Sequence, residues 1–201
     1  SSRLISGVFG IKPLSEGEAA QSEAELRLAL SEGVKSGEIT PTEYRYLNNV
    51  FDFDERDAQE IMVPRTEIRH IAQNADVRAL LDLLEAKTYS LVPVSLNGDK
   101  DHIVGMVNVK QVLSDYVRRD QTEPRPIAGY IRPVIQVIET VRARDLLGRM
   151  QKEGIHMAVL MDEYGGTSGL VTLEDLLEEI VGDIPSSSSP EGGAEPTPLI
   201  R

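Results

Sequence analysis

From about residue 57 onward the chain writes one pattern twice. Val77-Arg78-Ala79 recurs as Val141-Arg142-Ala143, and Gly105-Met106-Val107-Asn108 as Gly169-Leu170-Val171-Thr172, a spacing of roughly 64 residues. Leu91-Val92-Pro93-Val94 lines up with Met157-Ala158-Val159-Leu160, and Pro64 with Pro133. The small drift in offset is what loop insertions produce. Each copy reads as strand, helix, apolar strand, turn, strand, helix. A β-α-β-β-α unit covers little sheet surface alone, so two copies are expected to pack face to face. The fold class is therefore α/β (α+β), a tandem repeat with a pseudo-two-fold axis. Clefts between such halves are a usual place for a small ligand.

Composition limits what such a cleft can hold. The chain has 201 residues, a net charge of −12, 40% apolar residues, 4% aromatics, no Trp and no Cys. The core must be aliphatic. The charge argues against nucleic acid, whose phosphates would be repelled. An anionic ligand needs local arginine or lysine, or a bound cation. Without cysteine there is no disulfide, zinc–thiolate site or thiol nucleophile. No apolar run approaches the ~20 residues of a membrane helix, and no signal peptide pattern is present.

Ahead of the repeats, residues 22–36 read as a helix with Leu26, Ala29, Leu30 and Val34 on one face and Gly37 as a stop. Thr40-Pro41-Thr42-Glu43 starts a second helix, with Thr40 as N-cap and Glu43 closing the box. Tyr44, Leu47 and Val50 then mark an expected buried stripe, and the two helices form a hairpin. At the chain start, Leu4, Ile5, Val8, Phe9 and Ile11 make a short apolar patch. It fits a frayed terminus or a segment lying beside something apolar. The stretch Pro185–Pro198 is rich in Pro, Ser and Gly and is expected to be a disordered linker.

The stretch Gly169-Leu170-Val171-Thr172-Leu173-Glu174-Asp175 reads as a strand turning directly into a helix. Thr172 falls at the N-cap and Asp175 three positions on. The free N–H groups of such a turn attract anions, phosphate foremost. A neighbouring carboxylate can accept hydrogen bonds from the two hydroxyls of a ribose. Phosphate and ribose together suggest a nucleotide. The competing reading is a helix cap and nothing more. In the first copy Asn108 still caps, but Gln111 replaces the carboxylate, so one good site per chain is expected, on the second copy.

Other acidic groups read as structural. Asp99 and Asp101 beside Asn97-Gly98 have neither the spacing nor the closing Glu of an EF-hand and fit a turn between strands. Asp52, Asp54, Glu55 and Asp57, and likewise Glu178 and Glu179, read as solvated helix surface. No metal-ligand spacing, Ser-His-Asp order, Walker loop or metalloprotease motif occurs, and no catalytic residue is assigned.

The two copies, each with a Gly-x-Val-[Asn/Thr] strand-to-helix turn, resemble a tandem pair of CBS domains, a Bateman module. Glu60-Ile61-Met62-Val63-Pro64-Arg65 and the run from Asp162-Glu163-Tyr164-Gly165-Gly166 to Val181-Gly182-Asp183-Ile184 are similar to the CorC/HlyC hemolysin-like group, related to the cyclin-M magnesium transporters. Ser36-Gly37-Glu38-Ile39 and Tyr44–Phe51 fit the same group, so the resemblance runs from about residue 22 to 184. It implies the cytoplasmic portion of a plasma (inner) membrane protein concerned with magnesium or cobalt efflux. A transmembrane domain would precede the hairpin, and a CorC-type domain would follow the repeats. The implied division is 1–21 membrane-proximal, 22–56 hairpin, 57–120 and 121–184 CBS repeats, and 185–201 linker.

The resemblance also implies a regulatory ligand, ATP or AMP with magnesium, and a homodimer through the CBS modules. Asp175 would accept the ribose hydroxyls and Thr172 would donate to a phosphate. The adenine slot would lie at Ile131, His156, Met157 and Ala158, where Met157 and Ala158 read equally well as ordinary core and a lone histidine such as His156 is more often structural than a ligand. Arg65 and Arg132, each beside the Pro that opens a copy, would supply phosphate charge or stay solvated. The competing function is a nucleotide-free dimerisation scaffold. An enzyme would require a positioned base, which the turn does not offer.

Overall fold

A computed structural model describes residues 16–118 and 125–182. The apolar patch at 4–11, the joint between the copies near 119–124 and the tail from 183 lie outside the described residues. The chain divides into two units, one ending at Phe51 and one beginning at Asp52.

In the first unit, α1 (Glu16–Ser36) and α2 (from Pro41, running to Glu55) make the expected hairpin. Gly37 takes φ +79° at the end of α1, a conformation open to glycine. The Thr40 backbone N–H and hydroxyl both donate to Glu43 Oε2 at 2.8 Å, and Glu43 N–H donates back to Thr40 Oγ1 at 3.2 Å. The Thr40 N–H, then its hydroxyl, hold the Glu43 carboxyl below its usual range. Arg27 ties the helices together, donating to Asn48 Oδ1 at 2.8 Å and lying 5.0 Å from the Phe51 ring centroid. The expected stripe is only partly buried. Leu30, Val34 and Tyr44 are half-buried, whereas Leu26, Leu47 and Val50 are exposed. Two helices meet along one narrow line, too little to cover a full apolar face.

The second unit carries both repeats. In the first, β2 (Ile71–Ala72), α3 (Val77–Ala86), β3 (Leu91–Leu96), β4 (Asp99–Asn108) and α4 (Val109–Arg118) follow in order. In the second, β5 (Ile135–Ile138), α5 (Ala143–Glu153), β6 (Met157–Met161), β7 (Thr167–Thr172) and α6 (Leu173–Val181) repeat them. The registers repeat as well. Leu91 pairs with Asn108 as Met157 pairs with Thr172, and Val94 with Gly105 as Leu160 with Gly169. Asn97 and Gly98 both take positive φ in the β3–β4 turn, as a two-residue hairpin requires.

The copies are interleaved through their leading segments. β1 (Val63–Pro64) opens the first repeat but pairs with β7, giving the second sheet the order β1-β7-β6-β5. Reciprocally, Arg132 opens the second repeat but exchanges two backbone hydrogen bonds with Met106 on β4, at 2.8 and 2.9 Å. A glycine lies at each crossing. A Cβ at Gly169 would stand 2.6 Å from Val63 O, and one at Gly105 2.6 Å from Arg132 O.

Strand alternation then sorts the aliphatic side chains into three cores. Val92, Val94 and Val107 face the first-repeat helices, with Leu80 and Val112. Ala158, Leu160 and Val171 face the second-repeat helices, with Leu146, Met150 and Leu176. Leu91, Met106, Met157, Val159 and Leu170 meet between the sheets. Fully burying one such side chain contributes about 1.5–3 kcal/mol.

The acidic run at the end of α2 is not simply solvated. Asp54 accepts from Arg144 at 2.7 and 2.8 Å, and Asp57 lies 3.4 Å from Arg142, whose guanidinium also donates to the Glu55 carbonyl. Glu179 likewise pairs with Arg56. The carboxylates of Asp54 and Asp57 meet arginines at the start of α5, a pairing between residues far apart in sequence that local charge patterning does not register.

Candidate functional site

Thr172 is where β7 becomes α6. Its backbone is extended, at φ −98° and ψ 161°, and its hydroxyl caps the helix by accepting from Asp175 N–H at 3.2 Å. Asp175 Oδ2 in turn accepts from Thr172 N–H at 2.8 Å and from Thr172 Oγ1 at 2.6 Å. The hydroxyl and carboxylate singled out in the sequence therefore meet, and they close on each other. Thr172 is buried and Asp175 half-buried.

Strand pairing brings the next two residues alongside. Met157 is the register partner of Thr172, and Leu173 N–H donates to the His156 carbonyl at 3.0 Å. The β5 ladder begins only at Ala158, opposite Ile135. On that side the backbone of His156 and Met157 runs past the first rung, as the edge of a flat heterocycle would need. His156 is exposed, whereas Met157 and Ala158 are buried, their side chains in the central and second-repeat cores respectively. Ala158 is fully buried and is paired on both sides, with Ile135 and with Val171, so it lies behind the turn and not on its surface.

The remaining sequence-selected residues are not gathered at this turn. Ile131 packs on the first-repeat core, its Cγ2 over Gly105. It connects to the turn through Arg132, whose partner Met106 shares the central core with Met157. The Arg132 side chain is exposed. Arg65 makes a two-pronged pair with Asp101, Nε to Oδ1 at 2.8 Å and Nη2 to Oδ2 at 3.0 Å. Pro64 pairs with Gly169, so Arg65 follows on the side of β7 away from Thr172.

Glu174 was not singled out in the sequence. Its Oε1 lies 3.6 Å from His156 Nδ1, and its buried Oε2 has no hydrogen-bond partner among the described residues. A buried acceptor without a donor is unfavourable by about 1–3 kcal/mol. Its place beside Asp175 was the only sequence signal. The turn thus presents two carboxylates and a hydroxyl, so it suits sugar hydroxyls or a cation-bound phosphate better than a bare one. The first-repeat counterpart keeps the frame but lacks this set. Val109 N–H donates to the Ser90 carbonyl at 3.0 Å, and Asn108 Oδ1 accepts from Gln111 N–H at 3.1 Å.

Known proteins share this fold. The CBS domain family profile matches residues 58–118 and 128–182. The chain is 53% identical over 186 residues to the UPF0053 protein YrkA of Bacillus subtilis (strain 168), covering 92% of this chain and 43% of that protein. It is 39% identical over 138 residues to the magnesium and cobalt efflux protein CorC of Vibrio cholerae, covering 69% of this chain and 46% of that protein. The chain spans less than half the length of each. It is also similar to the solved CBS domain of the bacterial CNNM/CorC family Mg2+ transporter in complex with ATP. That likeness has 38% identity and a TM-score of 0.64, over 72% of this chain and 100% of the other.

Proposed function

The chain belongs to the CBS-domain family, as a CBS pair of the CNNM/CorC type, and from that membership we propose that it is a regulatory adenine-nucleotide sensor. The observation that carries this reading is the Thr172–Asp175 turn, with the backbone of His156 and Met157 beside it. Asp175 holds the ribose hydroxyls, Thr172 donates to a phosphate, and the backbone edge at His156 and Met157 takes the adenine. Arg132 is the candidate cation for the outer phosphates, and Arg65 would have to leave Asp101, on the side of β7 away from Thr172, to join it. The ATP complex of a structural neighbour supports the choice of ligand.

The protein's net charge of −12 and the Glu174 oxygen without a partner among the described residues favour ATP carrying Mg2+, because the cation lowers the negative charge that the triphosphate brings to them. The module acts without catalysis, as a homodimer, on the cytoplasmic side of a membrane protein that also has a transmembrane domain and a CorC-type domain. It regulates by binding one arrangement more tightly. A tenfold preference supplies about 1.4 kcal/mol of bias.

Calorimetric titration with ATP, ADP and AMP, each with and without Mg2+, tests the reading. Binding is expected to be saturable and to weaken about tenfold in Asp175→Asn, which keeps the side-chain size but not the charge. No response to any adenine nucleotide would leave the dimerisation scaffold as the function.

A further inference from the structure

Residues 54–58 lead into the first repeat, yet their long-range polar contacts run to the second. Ala58 N–H donates to the Val141 carbonyl at 2.8 Å, and Ala143 N–H donates to the Arg56 carbonyl at 2.9 Å. Asp54 is held by Arg144. Phe53 and Ala58 are buried in the second-repeat core. One of these contacts reaches the helix that carries the candidate site, the Arg56 guanidinium on Glu179 of α6. Glu179 lies four residues after Asp175, so the two carboxylates occupy neighbouring turns on one side of a nine-residue helix.

We propose that the Arg56–Glu179 pair couples the Thr172–Asp175 turn directly to the end of α2, so that the second repeat controls this segment without passing through the first. The inference rests on the nucleotide reading of that turn. The bistable element is the capping box. Asp175 Oδ2, which now accepts two hydrogen bonds from Thr172, is the group that must turn to a ribose. Opening the box alters the first turn of α6. Glu179, one turn on, carries that change to Arg56, whose backbone carbonyl is bonded to the start of α5. Both members of the pair are about one-third to two-fifths exposed, so the link is only partly screened by salt.

Hydrogen–deuterium exchange of the full chain, with and without saturating Mg2+–ATP, tests this. In the unmodified protein ATP is expected to slow exchange both at 172–176 and at 54–58, by about fivefold or more. In Arg56→Gln and in Glu179→Gln the protection at 172–176 persists and the change at 54–58 is lost. The charge-swapped double variant Arg56→Glu/Glu179→Arg restores it. Protection at 172–176 with no change at 54–58 in the unmodified protein overturns the coupling alone. So does a full response at 54–58 in either single variant. ATP that protects neither segment removes the nucleotide reading, and this inference with it.

Discussion

Gly105 lies directly beneath Ile131: a β-carbon on the glycine would stand 2.5 Å from Ile131 Cγ2 and 2.6 Å from the Arg132 carbonyl oxygen. The same relation holds between Gly169 and the Met62–Val63 segment. Each glycine is therefore a socket for the other repeat's leading segment. Gly105→Ala and Gly169→Ala are each expected to destabilise the second unit by about 1–3 kcal/mol. Gly148→Ala on α5, where a β-carbon meets nothing within 4 Å, should instead stabilise by about 0.5–1 kcal/mol. Urea midpoints of the three variants check this, and equal shifts would contradict it.

Thr172→Ala removes a cap that both gives and accepts hydrogen bonds, and should lower stability by about 1–2 kcal/mol. Thr172→Ser keeps the hydroxyl and should stay near the unmodified protein. Asn108→Ala, whose side chain caps α4 by accepting from Gln111 N–H, should lose about 1 kcal/mol or less. Thermal unfolding of the three ranks them.

His70 gives a pH dependence of known sign. Its Nδ1 lies 2.8 Å from Ser95 Oγ, and burial, then Lys100, pushes its pKa below the ordinary 6.5, against a smaller opposing pull from Asp99. The unfolded chain then binds the proton more readily than the folded one. Stability from this group is full above about pH 6.5 and falls as the pH drops toward the lowered folded value. His70→Gln should flatten stability measured by urea unfolding between about pH 5 and 7. Asp99, held low by the Asp101 N–H and then by His102, acts below about pH 4 and leaves that window clear.

The β3–β4 turn depends on Gly98 at φ +84°. Gly98→Ala should lower stability by about 1 kcal/mol, whereas Asn97→Gly should change it little. Denaturant unfolding of each variant tests the pair.

Local chemistry explains what could be read without coordinates. The Thr40–Glu43 and Thr172–Asp175 boxes, the Asn97-Gly98 turn and each strand-to-helix turn join residues within a few positions of one another. Backbone geometry at that range depends on nearby side chains alone. The unburied hairpin stripe marks the limit: periodicity tells which residues share a helix face but not whether anything covers it.

The sequence by itself determined the repeat, the aliphatic cores and the presence of a hydroxyl and a carboxylate at one helix start. The tertiary structure alone decided that Val63 joins the second sheet and Arg132 meets the first, that Arg56 meets Glu179, and that Arg65 is occupied by Asp101. Those pairings join surfaces far apart along the chain. Which surfaces meet depends on how whole sheets and helices fit, a property no short window of residues carries.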